Sequence, residues 1–548
     1  MKKRYFFQIL FGAVLMALSY PPFNLYPLII IGIAIVFWRV INAKGIKEVF
    51  VDAYFTFFFL QLLDLSWISL SGVRENADRF LIIGGVFVIL IYPLYFVLPT
   101  LFFYFVYKSS GRKKWVYFTF PFIWIIFEYC QTQTEISFPW LLVGNAFTTA
   151  LKKIQFIEFT GVFGISLWAV FLSVLLCMVY ESLSDIVREL SKSKLWKLRL
   201  LLLLLVIIYI LPNLYIYRGT WLTDRYKVSV AVIQPNINPW EKWTGKQPVL
   251  INTYLNYIRT VVKEHTSLDL IVMPETALPF YFSDVYYEEY YWQFKNLIDS
   301  INVPLLIGSP EYVEYSDITK IRKDSKKLKN HGTYYDTFNS AILIEPGKLK
   351  ENYQRYNKIK LVIGSERMPY QEHFPFLKDL IRWSIGIGSF QTGIDTTVFK
   401  LPLNNQATNI LFNVAICYES IYPDFFSRFI EKGAEFSVVI TNDGWWGKLF
   451  GTYQHNQYAV LRAIENRRYI IRCANTGISC IISPEGIISS KTDINKEAIF
   501  VSEVYPLTEK TFFTTHKNLL ISISIVFIVL FIAFVGLLRI STRRNQTV

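Results

Sequence analysis

The sequence predicts a membrane-embedded α-helical bundle into which one extramembrane α/β domain is inserted. Three observations predict it. Apolar runs long enough to cross a bilayer fill residues 1–216 and recur once in 517–548. Short Val- and Ile-rich runs alternating with helical stretches fill residues 217–516. Lysines and arginines cluster five times, always at the same end of the spans.

Bulk composition sets the frame. With 53% hydrophobic residues among 548 and a mean hydropathy of +0.33, the chain is too apolar for an ordinary soluble enzyme. It is long enough for two folding units. Its 56 basic and 42 acidic residues leave a net charge of +14. In a chain this apolar, Lys and Arg face anionic lipid and fix topology. A nucleic-acid partner is not expected, because no basic, glycine-flanked or zinc-ligand module is present. Five cysteines (130, 177, 417, 473 and 480) form neither a CxxC pair nor a regular framework, which leaves room for one working thiol.

A span needs roughly 20 apolar residues. Seven candidates precede residue 217, at 5–20, 26–42, 49–70, 79–107, 115–130, 158–181 and 198–216; an eighth is 518–539. The first follows Met1-Lys2-Lys3-Arg4 without a small-residue cleavage site, so it reads as a retained helix. Basic clusters at 2–4, 39–47, 108–114, 188–199 and 539–544 then fall on one side of a seven-plus-one arrangement. By the positive-inside rule that side is cytoplasmic. The segment 217–516 is thus expected outside a bacterial inner membrane, in the periplasm, with a C-terminal helix and cytoplasmic tail in 517–548.

The outer segment reads as layered α/β. V-S-V-A-V-I-Q (228–234), L-D-L-I-V-M-P (268–274), V-P-L-L-I-G-S (303–309), N-I-L-F-N-V-A-I-C (409–417) and E-F-S-V-V-I-T (435–441) have the character of buried strands. Helical stretches at 247–264, 286–300 and 453–467 lie between them. The Lys-rich run 318–329 is expected to be a solvated loop. The aromatic run 279–292 is either a helix packed on the domain or a lid dipping into the headgroup layer.

Three polar residues close strand-like runs, where loops present chemistry. Glu275 follows L-D-L-I-V-M-P, Cys417 ends N-I-L-F-N-V-A-I-C, and Lys358 lies in R-Y-N-K-I-K-L-V. Singly, each reads as ordinary: a small buried hydrophobe, a surface carboxylate, a solvated charge. Their order and flanks give them more weight. M-P-E-T-A (273–277), Y-N-K-x-x-L-V (356–362) and I-C-Y-E (416–419), with T-N-D-G-W-W-G (441–447) and R-A-I-E-N-R-R-Y (462–469), resemble the carbon–nitrogen hydrolase, or nitrilase, family over roughly 225–505. That resemblance implies an αββα sandwich and a Glu275, Lys358, Cys417 catalytic triad.

With its spans included, the whole chain is similar to the apolipoprotein N-acyltransferase family. The similarity implies a phospholipid acyl donor and a diacylglyceryl-cysteine lipoprotein as acceptor, in the last step of bacterial lipoprotein maturation. No metal or other cofactor is implied. It further implies active-site support from Glu366, Tyr418 and Glu419, and a substrate-binding role for Trp243 in N-I-N-P-W-E-K-W. One departure stands out: where the family reads L-V-P-F-G-E, this chain reads L-V-I-G-S-E at 361–366, and the missing Pro removes a rigid φ from that loop.

These residue types suit ester-to-amide transfer. A thiolate can hold an acyl group, Glu275 can move its proton, and Lys358 with the Tyr418 N–H can receive the oxyanion. A membrane-anchored amidase or lipid hydrolase would share the triad and deliver the acyl group to water. A transporter or scaffold would require ionisable groups in mid-span, whereas Asp64 and Glu128 lie near predicted span ends. His455, beside Gln454, is expected to be a structural hydrogen-bonder.

Overall fold

Long apolar stretches become helices because only a helix satisfies every backbone N–H and C=O within one segment when water is absent. The computed structural model describes residues 3–544 except 76, 190, 218, 220–225, 244–246, 283, 329–331, 380–389 and 404–408. Met1 and Lys2 of the first basic cluster, Leu190 of the fourth, Ser283 of the aromatic run and Lys329 of the Lys-rich run lie outside the described residues. The chain divides into two compact units. One comprises 1–69, 83–218 and 516–548; the other comprises 70–82 and 219–515.

Among the described residues, five helices are long and apolar enough to cross a membrane: Ile46–Ser71, Phe80–Ser109, Val162–Arg188, Lys192–Leu214 and Leu519–Ile540. Arg4–Ala17 and Leu28–Asn42 are shorter apolar helices. The span expected at 115–130 opens on a 3-10 turn, Lys114–Thr119, before the α-helix Phe120–Gln133. Pro121 in its first turn explains the start, since the missing N–H has no helical partner there anyway. Asp64 and Glu128 are both buried, 1% and 2% exposed. Glu128 Oε1 accepts from the Trp124 indole (3.0 Å) and the Val143 N–H (2.8 Å), so this carboxylate pins an irregular turn.

The second unit contains two sheets. The first is built from β1 (Val228–Gln234), β2 (Leu270–Val272), β3 (Leu305–Tyr315), β4 (Lys326–Lys327), β5 (Tyr334–Ile344) and β6 (Gln354–Asn357). The second is built from β7 (Val398–Leu401), β8 (Ile410–Ile416), β9 (Phe436–Thr441), β10 (Ile470–Ala474), β11 (Cys480–Ile482) and β12 (Ile488–Ser489). A last strand, β13 (Ala498–Val504), returns to the first sheet. The orders are β13-β1-β2-β3-β5-β4, with β6 on β5, and β12-β11-β10-β9-β8-β7.

The centres of both sheets, β1-β2-β3 and β8-β9-β10, are parallel. Parallel strands send their C-terminal ends to one edge, so the residues after β2, β8 and β9 are presented together at the ends of their sheets. The helices Gln247–Glu264 and Glu288–Ile301 bury Ile251, Tyr254, Ile258, Phe294 and Ile298 with Ile233, Ile271 and Ile307 of the first sheet. The two sheets meet where the Cys473 thiol of β10 donates to the Ile233 carbonyl of β1 at 3.3 Å.

Two loop expectations are refined. The Lys-rich run is not wholly solvated: Asp324 within it is 4% exposed and ion-paired with Arg367 at 2.6 Å. The aromatic run divides in two. Phe280, Phe282 and Tyr291 enter the core, while Val285 and Tyr286 are 74% and 85% exposed.

Candidate active site

Glu275 sits in the turn after β2. Thr276 beside it adopts a left-handed conformation (φ 46°). The turn lies directly on β3. A Cβ at Gly308 would stand 2.5 Å from the Thr276 nitrogen and 2.7 Å from the Glu275 Cα, so only glycine admits it.

Lys358 follows β6, and its backbone N–H donates to the Asn339 carbonyl of β5 at 2.8 Å. Its side chain is fully buried. The ammonium donates to Glu275 Oε1 (3.0 Å) and Glu366 Oε1 (2.9 Å). Asn339 Nδ2 donates to the same two oxygens, at 2.8 Å each. One ammonium and one amide thus bridge two carboxylates. Burial works against the charge on Lys358, but Glu275 and Glu366 outweigh it and hold the pKa above the ordinary lysine value.

Cys417 directly follows β8 in a left-handed conformation, φ 52°, and is 6% exposed. A non-glycine residue there carries strain of order 1–3 kcal/mol, which surrounding contacts must sustain. Burial and the charge of Glu275 push the thiol well above its usual range, while Lys358 pulls it down. The resting form is therefore the thiol, and a base is needed to remove its proton.

Glu366 reaches this cluster without the family's Pro. Gly364 takes φ 73°, and the Glu366 N–H returns to the Val362 carbonyl at 2.9 Å. The Val362 N–H donates to Glu366 Oε2 at 2.8 Å. Glycine's freedom and a closed turn thus set the geometry that proline would otherwise pre-set.

Glu419 lies elsewhere, completely buried. Its Oε1 accepts from the Tyr356 hydroxyl (2.6 Å) and the Ile359 N–H (2.7 Å), and its Oε2 from the Ile416 N–H (2.8 Å). It ties the Lys358 loop to the Cys417 loop. Burial raises its pKa to about 7 against those hydrogen bonds. Tyr418 is buried, its ring edge-on to Tyr422 at 5.3 Å. Trp243 is partly buried, with no hydrogen-bond partner for its buried indole nitrogen among the described residues.

Several residues here were not singled out from sequence. Lys242 is 5% exposed and donates to Thr276 O (2.8 Å) and Oγ1 (2.7 Å), next to Glu275. Burial lowers its pKa to about 7, with Glu275 acting in the opposite direction. Asn339 bridges the two glutamates. Its one signal was an amide in F-N-S-A-I-L-I (338–344), a run that is apolar from Ala341 onward. Asp443, after β9, pairs with Arg472 at 2.5 Å and with His455 Nδ1 at 2.8 Å. Burial opposes its ionisation, but Arg472 and His455 hold its carboxyl well below the usual range.

Ligand atoms of Cys417, Asp443 and His455 lie within 4.8 Å of one another, a spacing a metal ion would accept. The donors are already engaged, however. Arg472 and Thr441 as well as His455 bind the Asp443 carboxylate, and a guanidinium at that position repels a cation.

Comparison with known proteins agrees with this architecture. Residues 229–509 match the carbon–nitrogen hydrolase family, and residues 12–175 match the N-terminal domain of apolipoprotein N-acyltransferases. The second unit is therefore a nitrilase-like carbon–nitrogen hydrolase domain. The chain is 30% identical over 521 residues to the apolipoprotein N-acyltransferase of Chlorobaculum tepidum, covering 94% of this chain and 93% of that one. It is 29% identical to that of Geobacter metallireducens, covering 92% and 89%. The chain belongs to the apolipoprotein N-acyltransferase family, and is an acyltransferase.

Proposed function

We propose that this enzyme moves an acyl chain from a phospholipid to the N-terminal amine of a diacylglyceryl-cysteine lipoprotein, through a thioester on Cys417. The observation that carries the reading is the buried Lys358 ammonium, held by Glu275 and Glu366 within electrostatic reach of the Cys417 thiol. Seven N-terminal helices and one C-terminal helix span the inner membrane, and an αββα sandwich stands in the periplasm.

In the first half-reaction Glu275 takes the thiol proton and the sulfur attacks the ester carbonyl. Lys358 and the Tyr418 N–H receive the oxyanion. The carbon–oxygen bond breaks, Glu275 returns its proton to the glycerol oxygen, and lysophospholipid leaves. In the second half the acceptor amine attacks the thioester. Glu275 removes the amine proton, the carbon–sulfur bond breaks, and the proton goes back to sulfur. No cofactor is needed, because no electrons change hands. Glu366 steadies Lys358, Glu419 joins the two catalytic loops, and Trp243 flanks the substrate.

The test is ping-pong behaviour. Phospholipid alone should give one stoichiometric burst of lysophospholipid and then stall. A diacylated lipopeptide with a free N-terminal amine should restart turnover, and its N-acetylated form should not. Steady release of free fatty acid at a rate indifferent to lipopeptide would make the enzyme a lipid hydrolase instead.

A further inference from the structure

The strained residue Cys417 is gripped by its own carbonyl. The Ser420 hydroxyl donates to that oxygen at 2.8 Å, and His455 Nε2 lies 3.0 Å from it. A carbonyl can only accept, so His455 bonds it in the tautomer with the proton on Nε2, a nitrogen that also lies 3.1 Å from the Ser420 hydroxyl. His455 Nδ1 is 2.8 Å from Asp443 Oδ1, and Thr441 Oγ1 donates to the same oxygen at 2.8 Å. Asp443 Oδ2 is held by Arg472, whose Nε donates to the Ile478 carbonyl at 3.1 Å. Ser420, Asp443, His455 and Arg472 are all completely buried. Asp443 after β9 and Arg472 of β10 thus back His455 of the helix Phe450–Asn466, which meets the one carbonyl oxygen.

The consequence follows from peptide geometry. The Cys417 carbonyl and the Tyr418 N–H belong to the same planar unit and point in opposite directions. Whatever fixes the oxygen also aims the N–H. A peptide following a left-handed residue is strained, and without such a grip it can rotate to a more relaxed setting. We propose that His455, seconded by Ser420 and oriented by Asp443 and Arg472, is a positioning residue that locks this peptide so that the Tyr418 N–H faces the developing oxyanion. The inference rests on Cys417 being the acylated nucleophile, as proposed above. It gives the buried polar chain behind the site a task in the reaction, beyond packing.

The test compares two reactions at the same sulfur. Acylation by a long-chain p-nitrophenyl ester passes through an oxyanion, whereas alkylation by iodoacetamide does not. Both are measured on the full-length protein in detergent, with modification of Cys417 followed by intact-protein mass. His455→Ala combined with Ser420→Ala should slow acylation about 10²–10³-fold, the usual loss for an oxyanion donor. Alkylation should stay within about threefold of wild type, because the SN2 displacement has no oxyanion to stabilise. His455→Gln, which keeps an N–H donor, should recover part of the acylation rate. Ser420→Ala alone removes only one buried hydroxyl and should show the same selective loss in smaller degree, which keeps the test open if the double variant does not fold. Parallel loss of acylation and alkylation, or unchanged acylation in Ser420→Ala and His455→Gln alike, would overturn the locking role. A wild-type protein not acylated at Cys417 at all would overturn the functional reading itself, and the locking role with it.

Discussion

Replacing Lys358 with methionine tests the centre of the site most directly. The substitution keeps much of the side-chain volume and removes a cation lying 3.0 Å from Glu275 and 2.9 Å from Glu366. Two buried carboxylates then share the single amide of Asn339. Breaking a buried ion pair by removing one partner typically costs about 3–5 kcal/mol. For a unit of this size, that lowers the melting temperature by about 5–8 °C. The deficit should be smallest in acid, where one orphaned carboxylate takes up a proton, and should grow as pH rises. Turnover should fall about 10²–10³-fold or more, since the proposed oxyanion donor is lost. Adding Glu366→Gln removes the surplus charge, so the double variant should regain a large part of the stability and none of the activity. Thermal unfolding in detergent micelles and the lysophospholipid burst measure the two quantities. If Lys358→Met kept turnover within tenfold of wild type, or if the double variant were no more stable than the single one, the electrostatic account of this cluster would be wrong.

Three further outcomes are expected. Gly308→Ala should cut the burst rate far more than Gly347→Ala, because its Cβ would press on the Glu275 turn, whereas an alanine at Gly347, φ 73°, strains only its own turn and meets no neighbour; equal effects would sink the argument. Glu419, raised by burial to about 7, contributes stability that is present below its unfolded value of about 4.3 and is lost as pH climbs through 7. Glu419→Gln should therefore flatten the fall in melting temperature between those limits, a difference of about 4 kcal/mol, and an unchanged pH profile would contradict it. For topology, a cysteine placed at the exposed Lys320 should react with a membrane-impermeant maleimide in intact spheroplasts, and labelling only after permeabilisation would reverse the orientation.

Much of this protein was determined by local sequence. Membrane-length helices are legible because the bilayer imposes a composition as well as a length, and each span carries that requirement within itself. The strands before Glu275 and Cys417 were legible as short apolar runs ending in a polar residue, and Glu275, Lys358 and Cys417 stood out through an ordered set of motifs. Helix ends were less exact where proline intervened, as at Pro121. Glu366 could be placed from its spacing to Lys358, but how its loop closes without proline could not. That depended on the left-handed Gly364 and the Val362–Glu366 turn.

Tertiary structure alone decided what surrounds Glu275, Lys358 and Cys417. Asn339 comes from β5, in the middle of a buried strand, and nothing within its own segment requires it to face two glutamates. Lys242 read as one more basic residue beside a tryptophan. Only the fold buries it against Thr276 and makes its charge costly. Asp443, His455 and Arg472 come from three different parts of the chain, and the contacts that link them to each other and, through His455, to the Cys417 carbonyl exist only once β8, β9 and β10 lie side by side. The physical reason is the same in each case. Hydrophobic periodicity and turn chemistry are short-range and are written in neighbouring residues, whereas hydrogen bonds between buried polar groups join residues from distant parts of the chain, and folding alone selects those partners.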